Sequence, residues 1–255
     1  MRLPALLPFR SAPATRSSGS PLLGVLGGMG PLATARFYEA LVAATPARSD
    51  QDHIRTVIWS DPTIPDRSDA ILGDGPSPLP AMTAGAARLR RMGADLLATP
   101  CNTAHRFLPE VSRATGLRAV DMIDESMARA ATTGARHVGV LATRGTRVAR
   151  LYDAAGDRRG IRTTYPHDDA QSRFVDSAIA IVKRGGDRER AEQLLEYAAE
   201  SMRHQDVDVL IAACTELPLV MARASRVATV IDSIDCLARA CVRELRPAPL
   251  AVERP

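Results

Sequence analysis

Two copies of one pattern, a short and mostly apolar run that ends in a cysteine, most constrain what this chain can fold into. Cys101 follows the run 94–98, and Cys214 follows the run 207–212. Short apolar runs between polar segments are typical of buried strands in a parallel sheet. In α/β proteins the groups that contact a ligand stand at the carboxyl ends of such strands. We therefore predict a site with two thiols, each at the end of a strand.

The order of elements before each cysteine is also repeated. An apolar run that ends at Leu26 lies 75 residues before Cys101, and one that ends at Leu141 lies 73 residues before Cys214. A similar aspartate-containing segment follows 20 residues after the first cysteine and 18 residues after the second. Strands that alternate with helical segments indicate βαβ units. We predict an α/β fold of two similar Rossmann-like lobes with parallel sheets, related by a pseudo-twofold axis, with the active site in the cleft between them.

The composition excludes several classes of protein. Of the 255 residues, 45% are hydrophobic and 24% are charged, as in ordinary globular proteins. Most of the formal net charge of +4 comes from Arg2, Arg10 and Arg16, so the rest of the chain is nearly neutral. With only 4% aromatic residues, this argues against a nucleic-acid partner. No apolar run approaches the ~20 residues of a membrane span, so we expect no contact with a membrane.

The four cysteines are too few and too widely spaced for a disulfide framework or a structural zinc site. We therefore expect no metal, and we place the protein in a reducing cytoplasm. Cys236 and Cys241 lie in a helical pattern and are expected to be plain packing residues, because free cysteine behaves as a small hydrophobe.

Two facing thiols suit one kind of chemistry, the inversion of a carbon centre by proton transfer. One group removes a proton from one face of the carbon, and the other returns a proton to the opposite face. One thiol must be ionised while its partner stays protonated, and a first thiolate disfavours the second. A nearby helix N-terminus or cation lowers a thiol pKa from its usual ~8.5 toward neutrality. Two buried strand-end cysteines that coincide only through duplication remain the alternative.

A glycine-rich loop follows the first strand. Gly27, Gly28 and Gly30 precede Pro31, which suits the first turn of a helix. Such a loop lets a ligand approach backbone amides at a helix N-terminus, where anions are favoured. The spacing is not that of a dinucleotide fingerprint, so a tight turn without a ligand is an equal alternative.

Five motifs stand in order along the chain: Gly27 to Thr34, Ile64 to Arg67, Pro100 to His105, Leu141 to Thr146, and Cys214 to Leu219. Together they resemble the cofactor-independent aspartate/glutamate racemase family, and within it the aspartate racemase branch. The resemblance runs from about Leu22 to Leu245. It implies a two-lobe homodimer that transfers the α-proton of an amino acid directly, without pyridoxal phosphate or any other cofactor.

The resemblance assigns roles to the residues at the strand ends. It implies that Cys101 and Cys214 are the two catalytic bases, with Cys214 taking the proton of the L-isomer and Cys101 that of the D-isomer. It also implies that the α-carboxylate and amino group of the substrate are lined by Met29, Asn102, Thr103 and Ala104. Thr215 and Glu216 are expected to contact the substrate as well, although Asn102, Thr103, Thr215 and Glu216 are also ordinary residues for a helix start.

Two cations complete the predicted site. The resemblance implies that Arg67 clamps the side-chain carboxylate, a task that suits a guanidinium, and that Lys183 is the second cation. Lys183 is also the only lysine among 33 basic residues, which favours a need for a compact ammonium. Arg67 as a solvated loop charge is the alternative. His105, Gln51 and His53 are expected to be structural, without a definite role.

The domain boundaries follow from the strand pattern and from the resemblance. Residues 1–20 lack any period and are expected to be a disordered extension. We expect residues 21–117 and 228–246 to form lobe 1, because the family's strand after the second cysteine joins the first lobe. Residues 118–227, opened by a short strand predicted over 118–123, are expected to form lobe 2, and residues 247–255 a tail.

The predicted function is racemisation of aspartate, or of glutamate. Other members of the superfamily are alternatives: a hydantoin racemase, a maleate cis–trans isomerase, or an arylmalonate decarboxylase. Decarboxylases use the second cysteine alone, and hydantoin racemases need no pair of carboxylate clamps. Maleate isomerases use two cysteines and a dicarboxylate, but the motifs at Gly27 and Cys214 resemble aspartate racemase more closely. A non-catalytic sensor of acidic amino acids would bind without α-proton exchange.

Overall fold

Two four-stranded parallel sheets form the frame of the protein in a computed structural model that describes residues 20–246. The strand order is β2-β1-β3-β4 in the first sheet and β6-β5-β7-β8 in the second. The second order repeats the first with each number raised by four, and every pair of strands is parallel. The prediction of two similar α/β lobes is therefore confirmed.

The first lobe surrounds the first sheet. Its strands are β1 (Leu22–Gly27), β2 (Arg55–Ser60), β3 (Leu96–Ala98) and β4 (Arg118–Ala119). Its α-helices are α1 (Pro31–Ala44), α2 (Arg67–Leu72), α3 (Leu79–Arg91) and α4 (Leu108–Thr115), with short 3₁₀ turns at Asp50–Asp52 and Thr103–Arg106.

The second lobe surrounds the second sheet and begins with α5 (Met122–Thr132). Its strands are β5 (His137–Ala142), β6 (Arg162–Thr164), β7 (Val209–Ala213) and β8 (Val230–Asp232). Its other α-helices are α6 (Arg144–Val148), α7 (Leu151–Asp157), α8 (Asp168–Ala170), α9 (Ser177–Lys183), α10 (Arg188–Arg203) and α11 (Ala224–Val227). A π-helical turn, Gln171–Asp176, joins α8 to α9, a 3₁₀ turn covers Leu217–Val220, and the last helix is α12 (Ser233–Leu245).

The central strands of both sheets are buried along their whole length, except for Leu22 at the start of β1. All residues of β3, β5 and β7 are buried, as expected of parallel strands that are covered on both faces by helices. An aspartate precedes β3 and β7 at equivalent places. The Asp95 carboxylate accepts the N–H of Leu22 at the start of β1, and that of Asp208 accepts the N–H of His137 at the start of β5. The repeat is thus visible in single hydrogen bonds.

Helix starts also follow the sequence signals. Pro31 occupies the first turn of α1, as predicted, where its missing N–H leaves no donor unpaired. Asp121 caps α5 by accepting the N–H groups of Ile123 and Asp124, and Asp232 caps α12 by accepting that of Ile234. The repeated aspartate segments after the two cysteines therefore each begin a helix.

Two short strands lie in the other lobe from the one expected. Arg118–Ala119 pairs with β3 in the first sheet, and Val230–Asp232 pairs with β7 in the second. The predicted strand over 118–123 is also cut to two residues, because the Asp121 cap begins α5 at Met122. The following helix makes each crossing: α5 packs on α7 of the second lobe, and α12 packs on α1 of the first. As a division into domains, 21–117 with 228–246 and 118–227 stays a prediction.

Helix α12 ties the two lobes together. Its buried residues Ile234, Leu237 and Cys241 join the core of the first lobe around Phe37, while Cys236 joins that of the second. Cys236 and Cys241 are both buried in this helix. Within residues 20–246, no helix is long and apolar enough to cross a bilayer. The extension predicted over 1–20 and the tail over 247–255 lie, apart from Ser20, outside the described residues.

Candidate active site

A small cavity lies between the carboxyl ends of the two sheets, and both strand-end thiols line it. We call it the inner cavity; its volume is about 20 Å³, room for about one water molecule. The first lobe contributes to its wall Met29, Arg67, Cys101, Asn102 and Thr103. The second lobe contributes Lys183, Cys214, Thr215 and Glu216. Nine of the ten residues predicted for the site therefore meet in one place.

The tenth residue, Ala104, lies elsewhere. It is fully buried in the core of the first lobe and is not part of the cavity wall. The 3₁₀ turn that follows Cys101 directs Thr103 toward the cleft and Ala104 into the core. Three residues without a predicted role also line the cavity, namely Asp66, Ser68 and Thr143. Each lies in a loop or at a helix start that follows the carboxyl end of a strand. This position is the sequence signal by which they could have been found.

The Cys214 thiol is held by its own neighbour. Its Sγ donates a hydrogen bond of 2.9 Å to Oε2 of Glu216, and both residues are buried. Burial, and next to it the negative charge of Glu216, hold the pKa of the Cys214 thiol well above its usual value. The nearby Lys183 ammonium acts in the opposite direction. Burial and the charge of Glu216 both favour the protonated form of the Cys214 thiol.

Cys101 has different surroundings. No carboxylate of the described residues hydrogen-bonds to its thiol, and the residue two positions further on is Thr103 instead of a glutamate. The Thr103 hydroxyl shares hydrogen bonds of 2.9 Å with the hydroxyls of Thr143 and Thr146 in the second lobe. That position therefore contributes to the contact between lobes and adds no negative charge beside the thiol.

His105 holds the backbone of Cys101 in place. The N–H of Met122 donates to Nε2 of His105 over 3.0 Å, so Nδ1 carries the ring proton and donates to the Cys101 carbonyl over 2.9 Å. The ring is buried and stands outside the cavity wall, in agreement with a structural role. Gln51 and His53 also stand outside it.

A buried hydrogen-bonded chain fixes the side chain of Asn102. Its Oδ1 accepts from the hydroxyl of Tyr152 at 2.7 Å, and its Nδ2 donates to Oγ of Ser233 at 3.1 Å. Ser233 in turn donates to the carbonyl of Ala212, at the end of the strand that carries Cys214. The chain orients Asn102 and joins it to the other lobe, because both of its partners belong to the helices after residue 150.

The Arg67 guanidinium is buried and only partly paired. Its Nη1 donates to the carbonyls of Ile64 and Pro65 at 3.1 and 2.9 Å, and its Nη2 contacts the carbonyl of Met29 at 3.4 Å. Its Nε is buried and has no partner within the described residues. A buried cation with an unused donor beside a cavity fits an anionic ligand group.

Lys183 approaches the cavity from the second lobe. Its Nζ lies 3.8 Å from Oδ2 of Asp66, an ion pair that joins the end of α9 to the start of α2. Burial alone would lower the pKa of Lys183, but the negative charges around it, a Cys214 thiolate first among them, raise it overall. Lys183 and both thiols line the same cavity, so the positive charge favours a thiolate there.

The two lobes touch closely beside this ion pair. A Cβ atom at Gly145 would come within 2.7 Å of Cα of Ser68, so a larger residue there would push α6 away from α2. In the glycine-rich loop, Gly28 has φ of +90°, and a Cβ there would lie 2.4 Å from the backbone of Asp61. The Gly28 N–H is bonded to Oγ1 of Thr34, so it is not offered to a ligand. The tight-turn interpretation therefore holds for Gly28.

No group of three or more His, Cys, Asp or Glu side chains in the described part of the chain has the arrangement of a metal site. The arrangement of two thiols, two carboxylates, two cations and several hydroxyls is suited to proton transfer.

Comparison with known proteins gives one consistent result. Residues 26–241 match the model of the Asp/Glu/hydantoin racemase family. The broad-specificity amino-acid racemase RacX of Bacillus subtilis is 28% identical over 225 residues, which cover 87% of this chain and 96% of that protein.

Solved structures agree with that match. The Picrophilus torridus aspartate racemase is 33% identical and superposes with a TM-score of 0.78, covering 88% of this chain and 93% of that chain. A glutamate racemase of Francisella tularensis, solved with D-glutamate, shares the fold at 14% identity with a TM-score of 0.67, covering 89% of this chain and 81% of that chain.

Proposed function

We propose that this chain, which belongs to the Asp/Glu/hydantoin racemase family, interconverts the L- and D-forms of an acidic amino acid, aspartate ahead of glutamate, without a cofactor. The observation that carries the proposal is the meeting of Cys101 and Cys214 in one cavity, each at the end of an equivalent strand. The similarity to an aspartate racemase supports the choice of substrate. The similarity to a broad-specificity racemase leaves room for other side chains.

The reaction moves one proton at each of the two thiols. The thiolate on one side takes the α-proton, so that the Cα–H bond breaks, an S–H bond forms, and the electron pair spreads into the α-carboxylate. The thiol on the opposite side then gives its proton to the carbon, so that its S–H bond breaks and the inverted Cα–H bond forms. Total charge is conserved, and the two cysteines end with exchanged protonation states. Solvent then resets them.

The carboxylate at Glu216 makes the two thiols unequal at rest. Because it favours the protonated form of Cys214, we infer that Cys214 is the acid of the resting enzyme, and by exclusion we assign the role of base to Cys101. With Cys101 facing the proton of the D-isomer, as the family pattern implies, the resting form is ready for the D-substrate. The L-substrate requires the form in which Cys214 has lost its proton.

Lys183 and Arg67 are assigned to binding and electrostatics. Arg67, which lines the cavity and has an unpaired donor, is assigned to the side-chain carboxylate of aspartate, while the Lys183 ammonium offsets the charge of a thiolate. Met29, Asn102, Thr103 and Thr215 are assigned to the α-carboxylate and amino group. An inner cavity of about 20 Å³ is smaller than an amino acid, so we infer that the lobes separate at the Asp66–Lys183 pair to admit substrate.

The substrate assignment is tested with Arg67→Ala. We expect kcat/KM for aspartate to fall about 10- to 100-fold, the usual loss for a hydrogen bond to a charged group. Arg67 also holds three backbone carbonyls, so its removal disturbs the loop for every substrate. Measuring aspartate and alanine with the same variant cancels that shared loss. An equal fall for both amino acids would remove Arg67 as the clamp.

One panel of substrates distinguishes the proposed activity from those of the other members of the superfamily. The enzyme is incubated in D₂O with L-aspartate, L-glutamate, maleate and a hydantoin, and racemisation, exchange and isomerisation are followed. We expect exchange and inversion with aspartate. Binding of aspartate without any exchange would instead identify a sensor.

The homodimer and the cytoplasmic location are part of the same proposal. Light scattering of the purified protein tests the homodimer.

A further inference from the structure

A second and much larger cavity adjoins the inner cavity. We call it the outer cleft; its volume is about 570 Å³, against about 20 Å³ for the inner cavity. The two share four residues, Asp66, Arg67, Lys183 and Glu216, which form the neck between them. Most of the free space next to the inner cavity therefore lies in the outer cleft. When the α-carbon of a substrate lies between the thiols, a long side chain extends through the neck into that cleft. The aspartate side chain, with three heavy atoms beyond its first methylene, needs little of that space.

The far wall of the outer cleft is apolar. Pro31, Leu32, Pro62 and Val182 contribute to it, together with glycines that expose no side chain. Leu32 is 59% exposed, the most exposed of the large apolar side chains in the described part of the chain. An exposed apolar group on the wall of a cleft is stabilised when a ligand covers it, because apolar surface then leaves water. This wall suits a hydrocarbon chain and has no evident use for aspartate.

The neck carries two negative and two positive groups. Asp66 is paired with Lys183, and the Nη1 donors of Arg67 are taken by backbone carbonyls. These charges largely cancel one another, so an uncharged side chain meets no strong repulsion as it passes. The neck therefore does not by itself restrict the substrate to an acid.

Gly30 keeps the neck open beside Glu216. Its φ of −103° and ψ of 171° are extended values that any residue adopts, so the backbone does not require glycine there. A Cβ at this position would stand 3.4 Å from Oε1 of Glu216. The missing side chain thus leaves free space at the point where the two cavities meet.

We propose that the outer cleft is a side-chain subsite, through which the enzyme also racemises neutral amino acids with unbranched side chains longer than that of aspartate, such as norleucine and methionine. The proposal rests on the proposed function, since the same two thiols perform the proton transfer. It adds a second substrate class, which the cleft selects by length and apolar character.

The test is α-proton exchange in D₂O with L-aspartate and with a homologous series, L-2-aminobutyrate, L-norvaline and L-norleucine. We expect kcat/KM to rise about fourfold for each added methylene, the value that corresponds to burial of one CH₂. A value that stays flat or falls along the series, while aspartate is turned over, would overturn the subsite alone. No exchange with any of the four amino acids would overturn the proposed function as well.

A variant locates the effect. Leu32→Trp fills the outer cleft, and we expect the ratio of kcat/KM for norleucine to that for aspartate to fall at least about tenfold, as for a pocket that loses room for methylenes. Met92→Trp is the matched control, because Met92 is 58% exposed and belongs to neither cavity; its ratio should equal that of the wild type. An unchanged ratio in Leu32→Trp would show that long side chains lie elsewhere.

Discussion

The two strand ends that carry the thiols have the same fold but different chemistry. Cys101 follows β3, which lies between β1 and β4 in the first sheet. Cys214 follows β7, which lies between β5 and β8 in the second sheet. Two residues after the cysteine, the first lobe has Thr103 and the second has Glu216. The threonine hydroxyl contacts the opposite lobe, whereas the glutamate accepts a hydrogen bond from its own cysteine.

Under the proposed function, this difference makes two similarly placed thiols unequal, one as the acid and the other as the base. The two similar lobes supply one thiol each to the cavity, but between two equal thiols a shared proton would lie on either one with equal probability. One carboxylate beside Cys214 favours its neutral form, and the same position in the other lobe adds no charge. The proposed reaction needs one proton donor and one proton acceptor at each turnover, and under that proposal the difference between Thr103 and Glu216 makes Cys214 the donor at rest.

The largest expected effect comes from removing either thiol. Cys101→Ser and Cys214→Ser should each lower the rate of racemisation by about 100- to 10,000-fold, because a hydroxyl is a poor replacement for an acid or base with a thiol pKa. Chiral chromatography of the product measures the rate. Cys236→Ser is the matched control, since Cys236 is buried in α12 and outside the cavity wall. A wild-type rate of racemisation in either strand-end variant would show that the reaction does not require both cysteines.

A smaller effect is expected from Glu216→Gln, which makes the two strand ends more alike. Burial and the Glu216 charge raise the pKa of Cys214, so loss of the charge should lower that pKa and form the thiolate at lower pH. The pH midpoint for alkylation of Cys214 by iodoacetamide, followed by mass spectrometry, should fall by about one pH unit or more. The pH at which the rate of L-to-D conversion rises should fall by a similar amount.

Cys101 is the internal control in the same sample. Its alkylation midpoint should move less than that of Cys214, because Cys214 is the one of the two thiols that donates a hydrogen bond to Glu216. Equal shifts at both cysteines, or none at Cys214, would contradict the asymmetry.

The smallest effect is expected in the support of the first strand end. Tyr152→Phe removes the hydroxyl that donates to Asn102 and leaves its buried Oδ1 without a partner, at a cost of about 1–3 kcal/mol in the free energy of unfolding. Urea denaturation measures it, and kcat should fall only a few-fold. Tyr165→Phe is the control, because Tyr165 donates to Asp153 away from Asn102. An equal loss of activity in both variants would mean that the chain through Asn102 does not position the site.

Much of the fold is predictable because it is written in local patterns. The apolar runs before Cys101 and Cys214 gave strands at Leu96–Ala98 and Val209–Ala213, and Pro31 gave the start of α1. The pairing of β4 and β8 was not predicted correctly. Strands of two and three residues carry little periodicity, and which sheet they join is decided by the long-range packing of the helix that follows.

The candidate site divides in the same way. The two strand-end cysteines are visible in the sequence, since residue type and position mark them. Arg67, at a helix start, and Lys183, at a helix end, were assigned mainly through the resemblance to the family. The hydrogen bond from Tyr152 to Asn102 and the ion pair between Asp66 and Lys183 are not visible in the sequence, because each joins residues that meet only when the lobes close. Ala104 lies outside the cavity wall because a 3₁₀ turn places it in the core, and its contact with the substrate stays a prediction.

The most direct test of two opposed bases is the position of deuterium in the first turnovers. L-Aspartate is incubated with the enzyme in D₂O, and the two enantiomers are separated and analysed by mass spectrometry at low conversion. Because the thiol that protonates the product takes its proton from solvent, the new D-aspartate should carry deuterium at Cα while the remaining L-aspartate stays unlabelled. Deuterium that appears at equal rates in both enantiomers, or D-aspartate that retains the substrate proton, would contradict a mechanism in which Cys101 and Cys214 act as two separate bases on opposite faces of the α-carbon.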